Sequence, residues 1–211
     1  AATYTRLTGV RSPGATRPAT ELSGAGGRAK RPSTLGESPV KDGLTSMQRL
    51  MILRHARAVS WQPGVEDFPR TLTDIGREHA SRIAEWIGAQ PWLPDEILCS
   101  PAQRTRETLA PLLALRPELE SRTSFVPQIY GASTRTLTTL LDRAFTERDC
   151  VLMVGHNPGF ERLAFEVVGP SERHSFERLP TGTLMVVEFE QGWPEDSDRG
   201  RLAHLIRGET L

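Results

Sequence analysis

The 211 residues amount to one large domain or two small ones, and aromatics at 6% beside 18 Gly and 16 Pro mean a mainly aliphatic core. Twenty-six basic and 26 acidic side chains cancel, which leaves no overall field to gather the chain onto nucleic acid or an anionic membrane. Cys99 and Cys150 are too few for a disulfide scaffold and match no metal-ligand spacing, and no apolar run approaches the roughly 18 residues of a membrane span, so a soluble protein of the reducing cytoplasm is expected.

The first 46 residues differ from the rest. Gly, Pro, Ser and Thr make up 23 of them, half the segment, and so little apolar surface cannot offset the entropy of ordering the chain. This leader carries seven basic and three acidic side chains, against 19 and 23 in residues 47–211. A disordered leader over 1–46 and a folded domain over 47–211 are therefore expected. An acid-poor leader rich in Arg, Ser and Thr also suits a transit peptide, but four prolines and seven glycines leave little room for an amphipathic helix.

From Gln48 onward, strand-length apolar runs alternate with segments of helical period. Leu50 to Leu53 reads as a short buried strand. After a long loop, Ala80, Ile83, Ala84 and Ile87 mark a helix from Asp74 to about Ala89. A second strand is expected near Glu96 to Cys99, and a helix from Pro101 buries Ala102, Thr105, Leu109 and Leu112. Leu137, Leu140, Leu141 and Ala144 form the stripe of a third helix. Val151 to Val154 is another buried strand, followed by a helix with Phe160, Leu163, Ala164 and Val167 inward. Leu184 to Phe189 and Leu202 to Ile206, joined across Gly192-Trp193-Pro194, are the last two strands. Such alternation predicts an α/β fold of three α/β/α layers, a mostly parallel sheet with helices on both faces.

Ligands of open α/β sheets bind outside the carboxyl ends of the strands, and three of the predicted ends carry Arg or His. They read Leu53-Arg54-His55-Ala56, Cys99-Ser100-Pro101-Ala102-Gln103-Arg104 and Val154-Gly155-His156-Asn157-Pro158-Gly159. Ser100 and Asn157 are good N-cap types, each with Pro at the expected first helical position, so free N–H groups of two helices are expected to face this edge. Arg104, one turn into its helix, adds a guanidinium fork suited to phosphate oxygens. Any one of these pieces alone fits a solvated pair or a helix start. Together they describe a phosphate pocket.

In combination, Arg54-His55, Ser100-Pro101-x-x-Arg104-x-x-x-Thr108 and Gly155-His156-Asn157-Pro158-Gly159 resemble the histidine phosphatase superfamily, whose fold is phosphoglycerate mutase-like. The compact size and Leu72-Thr73-Asp74-x-Gly76 look most like its SixA-type phosphohistidine phosphatases. The resemblance spans residues 49 to about 206. It implies His55 as nucleophile, attacking phosphorus to form a phosphohistidine that water then hydrolyses. It implies Arg54, Arg104 and His156 as the groups that bind the phosphoryl oxygens and stabilise transition-state charge. No metal and no other cofactor is implied. The expected partner is a phosphorylated protein or a small phosphorylated substrate, with phosphohistidine on a protein preferred. The alternatives are a small phosphatase or mutase acting on phosphate esters, and a phosphoprotein-binding module without turnover.

Ala56 stands where many relatives have glycine, a small-for-small change. Many members of the superfamily carry a carboxylic general acid after the Arg104-type motif, yet Phe125 to Leu141 contains no Glu or Asp, as in the SixA type. Glu66, Asp67 and Glu161 are substitutes by position only, each expected to be a solvated or capping carboxylate. His79 sits at the edge of its helix's apolar stripe, His174 and His204 have no carboxylate or Cys at ligand spacing, the two cysteines read as small core residues, and Trp61 and Phe68, in the loop after His55, either line a substrate mouth or, as preferred, pack in the ordinary way.

Overall fold

A computed structural model describes residues 47–190, 192–193 and 200–211. The leader lies outside the described residues, as does Pro194 of the last expected turn. Among the described residues, six strands and four α-helices follow one another as β1 (Gln48–Arg54), α1 (Asp74–Gly88), β2 (Glu96–Cys99), α2 (Gln103–Leu115), β3 (Thr123–Phe125), α3 (Thr134–Ala144), β4 (Cys150–Gly155), α4 (Gly159–Val167), β5 (Thr183–Phe189) and β6 (Arg201–Arg207). Short 3₁₀ turns lie at Pro117–Arg122, Pro127–Ile129 and Arg173–Ser175.

The strands form one sheet in the order β3-β2-β4-β1-β5-β6. The pairings β3 with β2, β2 with β4 and β4 with β1 are parallel, whereas β5 lies antiparallel to both β1 and β6. The central strands are apolar on both faces because helices cover both. Leu50, Ile52, Val151, Met153, Met185 and Val187 pack against Leu137, Leu141, Phe160, Leu163 and Val167 of α3 and α4. The alternate residues Met51, Leu53, Leu152, Val154, Leu184 and Val186 meet Ile83, Ala84, Ile87, Leu109 and Leu112 of α1 and α2. Two helix starts depart from expectation: α2 begins at Gln103 with Ala102 as N-cap, and α4 at Gly159 with Pro158 as N-cap.

The loop leaving β1 is clamped to the start of α1. The Thr73 N–H and hydroxyl both donate to the Arg57 carbonyl, at 2.9 and 3.2 Å, and the Thr73 hydroxyl accepts from the Gly76 N–H at 3.0 Å. Gly76 is there because the Arg57 carbonyl oxygen would stand 2.0 Å from any Cβ, so α1 approaches this backbone only without a side chain. Gly76→Ala is accordingly expected to force backbone movement costing about 1–3 kcal/mol. Thermal unfolding checks it, with a fall in Tm of roughly 2–4 °C for each kcal/mol.

Candidate active site

Strands β1, β4 and β2 are neighbours, so their carboxyl ends deliver His55, His156 and Ser100 side by side. Backbone bonds continue the sheet one residue beyond the strands: the His55 N–H donates to the Gly155 carbonyl and the Ser100 N–H to that of Val154, both at 3.0 Å. The two imidazoles lie 5.2 Å apart, centre to centre. His55 and His156 are each 8% exposed and Arg104 only 4%.

His55 has a defined tautomer. Its Nδ1 lies 2.8 Å from the Ala56 carbonyl, which can only accept, so the proton sits on Nδ1 and the lone pair on Nε2. Burial lowers the His55 pKa to about 4, opposed by the bond to Ala56 and assisted by the charges of Arg104, Arg54 and Arg70. The ring is therefore neutral near pH 7. The loop carrying it is tied to α2 through Thr108, whose hydroxyl accepts from the Ala56 N–H at 3.0 Å and donates to the Arg104 carbonyl at 2.6 Å.

His156 Nε2 lies 2.8 Å from the Ser100 hydroxyl. With that hydroxyl donating, the proton sits on Nδ1, a buried atom with no partner among the described residues. Burial, followed by the charges of Arg104 and His55, pushes His156 down to about 3. Ser100 thus bonds His156 and accepts the Ala102 N–H only at 3.5 Å, while Ala102 is the N-cap of α2, which corrects the expectation from its residue type. Nor is the first N–H of α2 free: that of Gln103 donates to the Phe68 carbonyl at 3.1 Å.

Asn157 is likewise not an N-cap. Its Nδ2 donates to the Leu179 carbonyl at 3.0 Å and to Glu161 Oε2 at 3.1 Å, while Glu161 Oε2 also accepts the Leu179 N–H at 2.9 Å. Arg54 donates from Nη1 to the same Leu179 carbonyl at 2.6 Å. Glu161 is therefore the anchor of the segment before β5, and that segment holds Arg54. The Gly182 N–H closes it against the His55 carbonyl at 2.9 Å.

The Arg104 guanidinium lies over the Tyr130 ring, 5.8 Å from its centre, and is hydrogen-bonded to Asp67. Its Nη1 donates to the Asp67 carbonyl and its Nη2 to Asp67 Oδ2, each at 2.8 Å. Asp67 also accepts from Arg70 Nε at 2.8 Å and from the Tyr130 hydroxyl at 2.6 Å. Burial works to raise the Asp67 pKa, but the hydrogen bonds from Tyr130 and Arg70 and the charge of Arg104 outweigh it and hold the carboxyl at about 2. Asp67 is thus a fixed anion, not the solvated carboxylate expected. Glu66 lines a cavity of about 270 Å³ together with Val59, Gln62, Val65 and Arg70, whose wall includes none of the four predicted residues.

The four residues singled out from the sequence meet at one sheet edge. Arg54 Nε, Arg104 Nε and His156 Nδ1 are all buried without a partner among the described residues, as are Asn157 Oδ1 and Thr183 Oγ1. Tyr130 was not foreseen. Its ring stands edge-on to His156 at 5.3 Å and to Phe68 at 5.2 Å, so Phe68 reaches the site rim, and both Phe68 and Trp61 are exposed rather than packed. Burial raises both thiols to about 12, so Cys99 and Cys150 stay protonated. Among the described residues no group of three or more His, Cys, Asp or Glu could hold a metal ion, and no helix is long and apolar enough to cross a membrane.

The arrangement offers a neutral imidazole lone pair ringed by two guanidinium groups and an N–H donor, chemistry suited to attack on a phosphoryl group. Comparison with known proteins agrees. Residues 50–140 match the family model of the histidine phosphatase superfamily, branch 1. A chloroplastic Arabidopsis thaliana protein of uncharacterized function is 32% identical over 157 residues, 70% of each chain. A crystal structure from Agrobacterium tumefaciens, assigned as the phosphohistidine phosphatase SixA, superposes with a TM-score of 0.64 at 29% identity, covering 75% of this chain and 97% of that one. The protein histidine phosphatase SixA complexed with tungstate shares the fold, with a TM-score of 0.65 at 22% identity over 78% of this chain and 99% of its own.

Proposed function

The chain belongs to the histidine phosphatase superfamily, and on that premise we propose that it is a phosphatase acting through a phosphohistidine at His55, with phosphohistidine on a protein as its substrate. One observation carries the reading: the neutral His55 ring stands among three buried nitrogens, Arg54 Nε, Arg104 Nε and His156 Nδ1, that have no partner among the described residues, and all three are donors when the Ser100 hydroxyl donates to His156 Nε2. Leaving such donors unpaired is costly, and a phosphoryl group with three acceptor oxygens is their natural complement.

In the proposed reaction His55 Nε2 attacks phosphorus as the P–N bond of the substrate breaks and its imidazole departs with the bonding pair, while Nδ1–H of His55 stays on the Ala56 carbonyl, which fixes the ring plane and offsets the positive charge that grows on it. Arg54 and Arg104 would bind the non-bridging oxygens. His156, neutral in the free protein, would donate from Nδ1, and an arriving dianion would raise its proton affinity. Water then attacks the phosphoenzyme, His55 leaves, and inorganic phosphate departs.

The deciding experiment compares phosphate release from a phosphohistidine peptide with release from several phosphate esters, in buffer containing EDTA. Turnover of the peptide is expected to survive chelation, because guanidinium groups supply the positive charge that a metal would otherwise bring. Loss of turnover restored by a divalent ion, or turnover of esters alone, would count against the proposal.

A further inference from the structure

We infer that Asp67, fastened by Tyr130, is both the positioning residue for Arg104 and a specificity residue, its fixed negative charge at the rim disfavouring substrates that carry a second anionic group near the phosphoryl group. The inference deepens the phosphatase reading and rests on it. A guanidinium bonded through one N–H of each Nη to a single residue is fixed in orientation, so Asp67 decides where the other N–H groups of Arg104, Nε–H among them, point. Asp67 is itself immobilised from three sides, by Arg70 on Oδ1 and by Arg104 and Tyr130 on Oδ2. Tyr130 completes the frame, since its ring also abuts His156 and Phe68.

The same carboxylate has a second effect. Its side chain is 36% exposed, so it faces the solvent from which a substrate arrives. It is also close enough to His156 for its charge to act on that ring. A neutral or cationic leaving group such as imidazole meets no penalty from this charge, whereas a carboxylate or a second phosphate is attracted less than it would be by Arg104 and Arg70 alone. Specificity built by such a like charge needs no contact with the preferred substrate.

The test uses the full chain and three probes: phosphoramidate, phenyl phosphate and carboxyphenyl phosphate. In Asp67→Asn, the kcat/KM ratio of carboxyphenyl to phenyl phosphate is expected to rise about tenfold as the like charge disappears. The kcat on all three should fall as Arg104 loosens. Tyr130→Phe keeps the charge, so it should lower kcat and leave that ratio within twofold of the parent's, and Asp67→Glu should restore the parent ratio. A ratio unmoved in Asp67→Asn, with melting temperature and phosphate binding showing the variant folded, overturns the specificity role. A loss of all activity in which the alkaline limb of the pH profile also disappears assigns Asp67 as a proton donor instead and overturns the inference. Failure of the parent protein to release phosphate from any probe overturns the phosphatase reading itself, an outcome separate from either of these.

Discussion

Replacing His55 with alanine is expected to abolish both phosphate release and covalent labelling, a loss of at least about 10⁴-fold, because it removes the atom that forms the bond to phosphorus. His156→Ala and Arg104→Ala should leave a measurable remainder, since each deletes one stabilising donor worth roughly 3–4 kcal/mol, or 10²–10³-fold. Rapid-quench labelling with radioactive phosphate followed by peptide mapping separates the cases, and label on any residue other than His55 refutes the assignment. The pH dependence is a second readout. Burial holds the His55 pKa at about 4, so kcat/KM, corrected for the substrate's own ionisation, should fall off only as pH drops through about 4, not near 6.5. The same shift acts on stability with a definite sign. Between about 4 and 6.5 the unfolded chain binds a proton at this position that the folded one does not, so the fold gains stability as pH rises through that window. A kinetic limb near 6.5 assigned to His55 would mean that the ring is better solvated than its burial implies.

How much of this is legible in the sequence depends on how local the cause is. Leu50 to Leu53 and Val151 to Val154 could be read as buried strands because a run of four consecutive apolar residues suits a strand covered on both faces. Their carboxyl ends then placed Arg54, His55 and His156 without further help. Strand β3 could not be read, since Thr123-Ser124-Phe125 has no pattern of its own and is a strand only through pairing with Ile97 to Cys99. The antiparallel setting of β5 is equally non-local, fixed by its register against β1. Ser100 and Asn157 were misread for a related reason. N-cap propensity describes the isolated helix start, and here His156 claims one side chain while Leu179 and Glu161 claim the other. Tyr130 carried no signal, because it follows the unreadable β3 and meets Asp67 across 63 residues of sequence. Asp67 was visible as a carboxylate in the right loop, but only the structure shows that its oxygens are occupied by Arg70, Arg104 and Tyr130.

That occupation bears on which leaving groups the site can expel. Release of an alkoxide needs a proton in the transition state, and general-acid assistance is worth roughly 10²–10⁴-fold. Of the three carboxylates near enough in sequence to supply it, Asp67 is held at about 2 and so has no proton to give near neutrality. Glu161 spends an oxygen accepting from the Leu179 N–H and Asn157. Glu66 faces a cavity whose wall includes none of the four site residues. An imidazole leaving from phosphohistidine has a conjugate acid near pKa 6.5, roughly, and departs with little help. The expected result is therefore a kcat/KM for phosphohistidine or an aryl phosphate that exceeds that for an alkyl phosphate by about 100-fold or more. Across a series of aryl phosphates, rate should fall steeply as the phenol becomes less acidic, because an unprotonated oxygen carries the full developing charge. Glu66→Gln should leave every one of these rates within about twofold, the range of an ordinary surface change of about 0.5 kcal/mol or less. Alkyl esters turned over as fast as phosphohistidine, or a rate independent of phenol acidity, would mean that a proton donor does reach the leaving oxygen, and the preference for phosphohistidine would lose its physical basis.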